Sequence, residues 1–440
     1  MTALVAMNAA PASGQTAVED SVVNRPRPEY DPQGFSPGMA LSMGHEPVRG
    51  RGVAGMLDTF VAFPSVGVEL LHTDNVFETQ GARVGDSALE FTPALELRSD
   101  WESHAMTIGF RADATRFFRR HLANTTDYEL YATGKIEIAT THTLDLRASH
   151  AELHETNSIL TDNLGRVFIS NTSQPPTYAV DHVRAEWAYQ ADRFLLRADA
   201  EPRHLDFDNT PQANASPIIQ SPRNRWEYDG HLRAGYEAFE GTVLYVEPGI
   251  SLRRYDNGPA DFPQLAGRVE DRNSDGAQVL AGLTYNASAV TYLDFGVGYV
   301  ERDYRNPNLP NVSGIAARGA MTWNPTDFIT VGLGLRREVD EATTFGVAGF
   351  FRTAVSSSLD YEYDYNKIVQ ATLEYAHDQS INRPGFTENI NDFRVGLTGV
   401  YLINEYAKAK IGYRYEDLTS TVSQQSFRES QVFVHLDMFY

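Results

Sequence analysis

Side chains alternate between apolar and polar with a period of two along this chain, from Phe60 to Tyr440. In the segment from Ala407 to Glu416, alanine, isoleucine and tyrosine alternate with lysine, glycine, arginine and glutamate. Because successive side chains of a β-strand point to opposite faces, each such segment has one apolar face and one polar face. No helical periodicity of comparable strength occurs, so the pattern predicts an all-β fold.

Short and long connections between these segments follow each other in strict alternation. The short connections are Ser99–Ser103, Ala139–His142, Gln190–Arg193, Phe239–Thr242, Asn286–Val290, Asn324–Asp327, Asp360–Tyr365 and Asn404–Tyr406. The long polar connections are His72–Asp86, Arg119–Thr125, His154–Thr177, Asp208–Asn224, Asp256–Ser274, Asp303–Ser313, Val339–Thr344, His377–Asn389 and Ser420–Ser426. They predict about 18 antiparallel strands, with 16 as the alternative. An even strand count places both termini on one side, which is the periplasmic side in bacterial barrels.

The polar average composition is compatible with a membrane protein of this kind. Charged residues make up 22% of the chain, and no apolar run reaches the roughly 18 residues of a transmembrane helix. A membrane-spanning strand needs only about 9–11 residues, of which alternate ones are apolar. A soluble β-sandwich also alternates, but it rarely sustains the pattern through so many strands. We therefore predict an up-and-down antiparallel transmembrane β-barrel over residues 60–440, in the outer membrane of a Gram-negative cell and in contact with its lipid.

Aromatic residues support the membrane barrel because they occur near the strand ends, where interfacial girdles lie. They include Tyr128, Tyr189, Trp226, Trp323, Tyr406 and Tyr440. The last strand is apolar at every second position and ends on an aromatic residue, which resembles the signal read by the barrel-assembly machinery. Its residues are Val432, Val434, Leu436, Met438 and Tyr440.

Two segments precede the predicted barrel. Residues 1–16 combine a short apolar stretch with small residues, as at the end of a secretory signal peptide, although a disordered tail is the alternative. Residues 17–59 contain the run Arg25–Pro32, in which three prolines favour an extended chain. We expect this part to be a periplasmic lead-in to the first strand. The alternative is a strap that enters the lumen or binds a periplasmic partner.

An 18-stranded barrel is wide enough to enclose an aqueous channel. Charged residues of both signs fall on its predicted inner face. These lumen-lining candidates are Arg111, Asp113, Arg184, Glu186, Arg197, Asp199, Arg225, Glu227, Asp229, Arg233, Lys408, Lys410, Arg414 and Glu416. Such residues can bind sugar hydroxyl groups or steer charged solutes. Alternatively, they only neutralise one another and keep the wall hydrated.

Other functions find little support in the sequence. The absence of cysteine excludes thiol catalysis and cysteine metal sites, and the net charge of −21 argues against nucleic-acid binding. The run from His150 to His154 has the spacing of a helical zinc motif, but a solvated strand end is the favoured interpretation. The run Asp271–Asp275 lacks the glycine and glutamate of a calcium loop. We predict no catalytic residue, no cofactor and no metal.

Three stretches resemble the putative β-barrel porin family (type 2). They are NRPRPEYDPQGF at Asn24–Phe35, FVAFPSVGVELLHTDNVFET at Phe60–Thr79 and TPALELRSDW at Thr92–Trp101, whereas Ser42–Gly55 is longer than the usual spacer of the family. The resemblance implies an outer-membrane barrel associated with exopolysaccharide loci. It therefore implies export of a polysaccharide together with a periplasmic polysaccharide export protein. A general or solute-specific diffusion porin, or a barrel without transport, is the alternative, and the pore wall alone favours neither.

Overall fold

The computed structural model describes residues 51–52, 59–155, 174–212, 215–265, 269–288, 290–342, 346–382, 389–404, 406–421 and 426–439. Eighteen long strands follow one another within these residues. The first nine are β1 (Phe60–Thr73), β2 (Asp86–Ser99), β3 (His104–Phe117), β4 (Thr125–Ala139), β5 (His142–His154), β6 (Thr177–Ala191), β7 (Phe194–Phe207), β8 (Arg225–Phe239) and β9 (Thr242–Tyr255). The other nine are β10 (Ser274–Ser288), β11 (Thr291–Tyr304), β12 (Val312–Thr326), β13 (Ile329–Glu341), β14 (Val347–Asp364), β15 (Lys367–Asn382), β16 (Asn389–Asn404), β17 (Ala407–Ser420) and β18 (Phe427–Phe439).

The strands form one closed antiparallel sheet. Each strand pairs with its neighbours in sequence, and β1 pairs with β18 from Ser65 opposite Phe439 to Thr73 opposite Gln431. Closure leaves no free sheet edge between β1 and β18, which is what a strand-built protein needs in lipid. The predicted 18-stranded up-and-down barrel is confirmed.

Two predicted connections are shorter in the structure because the strands beside them are longer. The pairing of β14 with β15 continues to Asp364 opposite Lys367 at the turn, within the predicted connection Asp360–Tyr365. At the other end it continues to Val347 opposite Asn382, within the predicted loop His377–Asn389. Backbone hydrogen bonds do not require apolar side chains, so polar composition alone does not mark where a strand ends.

The alternation in sequence becomes an apolar outer surface. Leu70, Leu130, Ile250 and Ile411 are more than half exposed on it. On β8 the outward row runs from Trp226 to Tyr236, so aromatic residues lie near both ends of the strand. The residues between these outward positions point into the barrel, where most of the charged side chains lie.

Short elements complete the described chain. Thr210–Gln212 and Ala215–Ile218 form a small hairpin in the loop after β7, and 3-10 turns occur in this loop and in the loops after β3 and β9. None of the helices in the described ranges is long and apolar enough to cross a membrane. Arg51 and Gly52 pair with Ala62 and Val61 of β1. The predicted signal-peptide remnant, residues 1–16, and most of the lead-in, residues 17–59, lie outside the described residues.

Candidate functional site

The interior of the barrel contains a cavity of about 1500 Å³ to which all 18 strands contribute. Near the short turns it is bordered by Thr330 and Asp437, and near the long loops by Val76 and Glu155. The cavity therefore extends along the height of the wall. Because the inner face of each strand is its polar face, the cavity is lined mainly by charged, hydroxyl-bearing and small side chains.

Ten of the 14 lumen-lining candidates border this cavity. They are Arg111, Asp113, Arg184, Glu186, Arg197, Asp199, Arg233, Lys410, Arg414 and Glu416. The other four are Arg225, Glu227, Asp229 and Lys408, which point inward but are at most 9% exposed. These four are covered by other interior side chains, so they do not meet the open part of the lumen.

Arginine and carboxylate side chains pair in the middle of the wall, between strands that are neighbours or lie three positions apart. Arg233 donates to Glu247 at 2.5 Å and to Asp294 at 2.7 Å, and Arg318 donates to Glu247 at 2.9 Å. The Tyr245 hydroxyl donates to Asp294 at 3.2 Å. Each group is held by partners on other strands, which fixes the position of the charges along the wall.

A second set of pairs lies on β3 to β7. Glu129 accepts from Arg111 at 2.5 Å and from Arg147 at 2.8 Å. Glu186 contacts Arg184 at 2.7 Å and Arg197 at 3.1 Å. In both sets one carboxylate lies between two guanidinium groups. The candidates therefore do neutralise one another in part, as the alternative interpretation expected.

The seam between β17, β18 and β1 carries a third network that the sequence predictions named only in part. Glu69 contacts Arg414 at 3.2 Å and His435 at 3.1 Å, and Asp437 contacts His435 at 2.8 Å and Lys410 at 2.8 Å. Glu69, His435 and Asp437 were not among the candidates. Their inward position follows the same period of two, so the strand alternation was the signal that could have found them.

Charged residues fill the long-loop end of the interior along β7 to β9. Arg253 is 1% exposed and lies 3.0 Å from Asp229 and 3.7 Å from Glu227. Arg203 and Arg225 also contact Glu227, at 3.0 Å and 2.8 Å. Buried charges of this kind are tolerated because each has a close opposite charge. This packed group explains why three of the predicted candidates are covered.

The tip of the β13–β14 hairpin covers part of the barrel interior at the long-loop end. Pairing of β13 with β12 stops at Arg337 opposite Ala317, and the hairpin continues beyond that point. Glu341 then forms an ion pair with Arg302 on β11 and accepts a hydrogen bond from Tyr255 on β9 at 3.1 Å. These contacts join β13 to strands two and four positions away, so the tip crosses the interior.

On β13 to β16, away from the packed charges of β7 to β9, small side chains leave the wall of the cavity open. A Cβ at Gly332 would lie 2.4 Å from Ser358 Oγ, and a Cβ at Gly334 would lie 2.4 Å from Ser356 Oγ. Glycine at these two positions leaves room for the hydroxyl groups of the next strand. The hydroxyl groups of Ser356, Ser358 and Thr372 border the cavity on this side.

Acidic residues outnumber basic residues on the cavity wall. Eighteen aspartates and glutamates border the cavity against ten arginines and lysines, an excess of eight acidic residues. The lumen thus follows the sign of the whole chain, whose net charge is −21. Fixed charge of one sign in a narrow aqueous passage attracts ions of the opposite sign.

The two histidines of the predicted zinc-like run take different environments. His150 contacts Asp181 at 2.7 Å in an exposed position, and His154 contacts the buried Asp127 at 2.8 Å. The described part of the chain contains no group of three or more side chains suited to hold a metal ion.

One known protein family matches nearly the whole barrel. Residues 54–439 match the model of the family "Putative beta-barrel porin 2". The chain belongs to this family. The match confirms the resemblance seen in the sequence, and it places this member of the porin family in the outer membrane. No curated protein matches the sequence.

Several solved outer-membrane proteins are similar to this porin-family chain at low identity. The outer-membrane protein OpdK from Pseudomonas aeruginosa has 10% identity and a TM-score of 0.42, with 86% of this chain and 99% of that chain covered. OpdO from the same organism has 10% identity and a TM-score of 0.43, covering 86% and 97%. OccAB3 from Acinetobacter baumannii has 9% identity and a TM-score of 0.42, covering 86% and 99%.

Proposed function

We propose that this barrel is a passive channel through which small hydrophilic solutes diffuse across the outer membrane. The observation that carries the proposal is the cavity of about 1500 Å³ bordered by all 18 strands. Its wall is polar, and its charges are held by partners on other strands, so a solute meets many weak contacts instead of one tight site. Such a passage has no catalytic step.

The filled side of the interior supports small solutes as the cargo. The arginine group around Arg253 and the hairpin tip at Glu341 occupy the long-loop end along β7 to β14. The space left for passage lies beside the small residues of β13 to β16 and along the seam. In this proposal both termini lie in the periplasm, because short turns face the periplasm in bacterial barrels.

Two adjacent residues of β14 allow a matched test. Ser358 borders the cavity, whereas Leu359 points outward and is 41% exposed. The purified full chain is placed in liposomes, and swelling is measured with sugars of increasing size. Ser358→Trp is expected to slow sugar entry by narrowing the open wall, and Leu359→Trp is expected to leave it unchanged. Liposomes that do not swell with the unmodified protein would refute the channel.

Export of an exopolysaccharide is the second candidate, as the sequence resemblance implied. It is favoured by the row of hydroxyl groups at Ser356, Ser358 and Thr372, which can exchange hydrogen bonds with a sliding sugar chain. In that case a periplasmic polysaccharide export protein would deliver the polymer. The test compares a gene deletion with the parent strain. Loss of surface polymer with unchanged solute uptake supports export, and the reverse result supports the diffusion channel.

A further inference from the structure

Carboxylates stand directly opposite one another on the strands around the barrel seam. The register pairs Glu416 of β17 with Glu429 of β18, and Glu69 of β1 with Glu90 of β2. It also pairs Asp113 of β3 with Asp127 of β4. Because β18 pairs with β1, these six strands are consecutive around the closed barrel. We call the six residues the acidic arc, and all six border the cavity.

The acidic arc lies in the half of the wall next to the long loops. Each of its residues is within a few positions of the strand end at that side, as with Glu429, the third residue of β18. A solute that enters from the long-loop side therefore meets the arc early. The arginine group around Arg253 lies on β7 to β9, outside the six strands of the arc.

Like charges directly opposite on neighbouring strands destabilise a sheet. Part of this repulsion is offset, since Glu69 contacts Arg414 and Glu416 contacts Arg394 at 3.1 Å. Glu90 and Asp113 differ from these. They hydrogen-bond to each other, which requires that the two carboxyl groups share a proton, and no basic side chain of the described residues forms an ion pair with either. The pair therefore keeps one negative charge, and it borders the cavity.

We propose that the channel is selective for cations, with the acidic arc setting the preference. The inference rests on the proposed function and names the solute class, namely small solutes that carry an amine or guanidinium group, and inorganic cations in a salt solution. Rings of acidic side chains act in this way in cation channels, because they raise the local concentration of cations and lower that of anions. The excess of eight acidic groups on the cavity wall acts in the same direction.

The test measures the reversal potential of the full chain in a planar bilayer under a gradient of KCl. We expect a potential whose sign shows that potassium passes more readily than chloride. In the double variant Glu90→Gln and Asp113→Asn, the potential should move toward zero. The matched control is Glu301→Gln with Asp303→Asn, which replaces one glutamate and one aspartate by the same amides at exposed, outward positions of β11. The control variant should show the same reversal potential as the unmodified protein.

The outcomes separate the two proposals. Conducting channels that show no preference, or that prefer chloride, would refute cation selectivity and leave the channel itself intact. Equal shifts in the double variant and in its control would refute the role of the acidic arc. Absence of conductance would refute the channel proposal. If the double variant does not fold, Asp113→Asn alone is measured, because Thr115 can still contact the new amide, and a smaller shift in the same direction is expected.

Discussion

Replacing Leu232 by arginine tests which face of the wall meets lipid. Leu232 lies on β8, is 47% exposed and stands between the outward aromatic residues Trp226 and Tyr236. Ten residues at about 3.4 Å each span roughly 34 Å along the strand, which at a tilt of about 40° is roughly 26 Å across the membrane. This matches the apolar band of about 25 Å in outer-membrane barrels. Leu232 therefore lies near the middle of the band.

Arginine at the bilayer midplane destabilises a barrel by about 2–4 kcal/mol. We expect Leu232→Arg to reduce the free energy of unfolding by this amount. The folding equilibrium constant would fall by about thirtyfold to several-hundredfold. The measurement is folding from urea into lipid vesicles, followed by the shift in electrophoretic migration between heated and unheated samples. Leu232→Ala supplies the baseline for loss of the apolar side chain without addition of a charge.

The neighbouring residue provides the control with the same new side chain. His231 points into the lumen, borders the cavity and contacts Asp199 at 3.0 Å. In His231→Arg the guanidinium group would have water and the Asp199 carboxylate beside it. We expect this variant to lose far less stability than Leu232→Arg. Equal losses, or a larger loss at position 231, would mean that the inner and outer faces have been assigned the wrong way round.

Three further predictions concern other parts of the barrel. Arg253→Ala leaves Glu227 and Asp229 without their central partner and should destabilise the fold by about 3–5 kcal/mol, as measured in the same urea titration. Glu341→Gln weakens the contact with Arg302 and should raise single-channel conductance or its fluctuation, because the hairpin tip is held less firmly; unchanged current traces would contradict this role. Tyr440→Ala should lower the amount of folded protein in the outer membrane, as judged by heat-modifiable migration in membrane fractions, whereas normal abundance would argue against an assembly signal at the C-terminus.

The strand count could be predicted because the information for it is local. Each strand shows its two faces within a few residues, and each connection shows its length directly. The outward row from Val432 to Met438 illustrates this, since its members are 36–55% exposed in the barrel, as the alternation indicated. Tyr440, the last residue of the predicted assembly signal, lies outside the described residues.

Which parts of the lumen are filled by side chains could not be predicted in the same way, because this depends on contacts between distant parts of the chain. Glu227 follows the alternation and points inward, but it is fully buried because Arg203, Arg225 and Arg253 converge on it from three strands. Glu341 lies where the alternation ends, and nothing near it in sequence indicates its contact with Arg302. A period of two assigns a residue to a face, but it does not say whether that face is open or filled.

To predict that like charges stand opposite each other, one needs the strand register. The sequence pattern does not define this register. A shift of two residues would keep Glu69 and Glu90 on the inner face and would separate them, so alternation alone is equally compatible with both arrangements.

The two charged parts of the interior differ in what stability requires of them. Around Arg253 every carboxylate has a guanidinium partner, so this group can hold β7 to β9 in place by itself. In the acidic arc, the register sets Glu69 opposite Glu90 and Asp113 opposite Asp127, and a basic residue at one position of each pair would replace repulsion by attraction. Stability therefore explains the first group and does not explain the second. A requirement imposed by what passes through the lumen does explain it, and this is why we assign selectivity to the arc and a structural role to the arginine group.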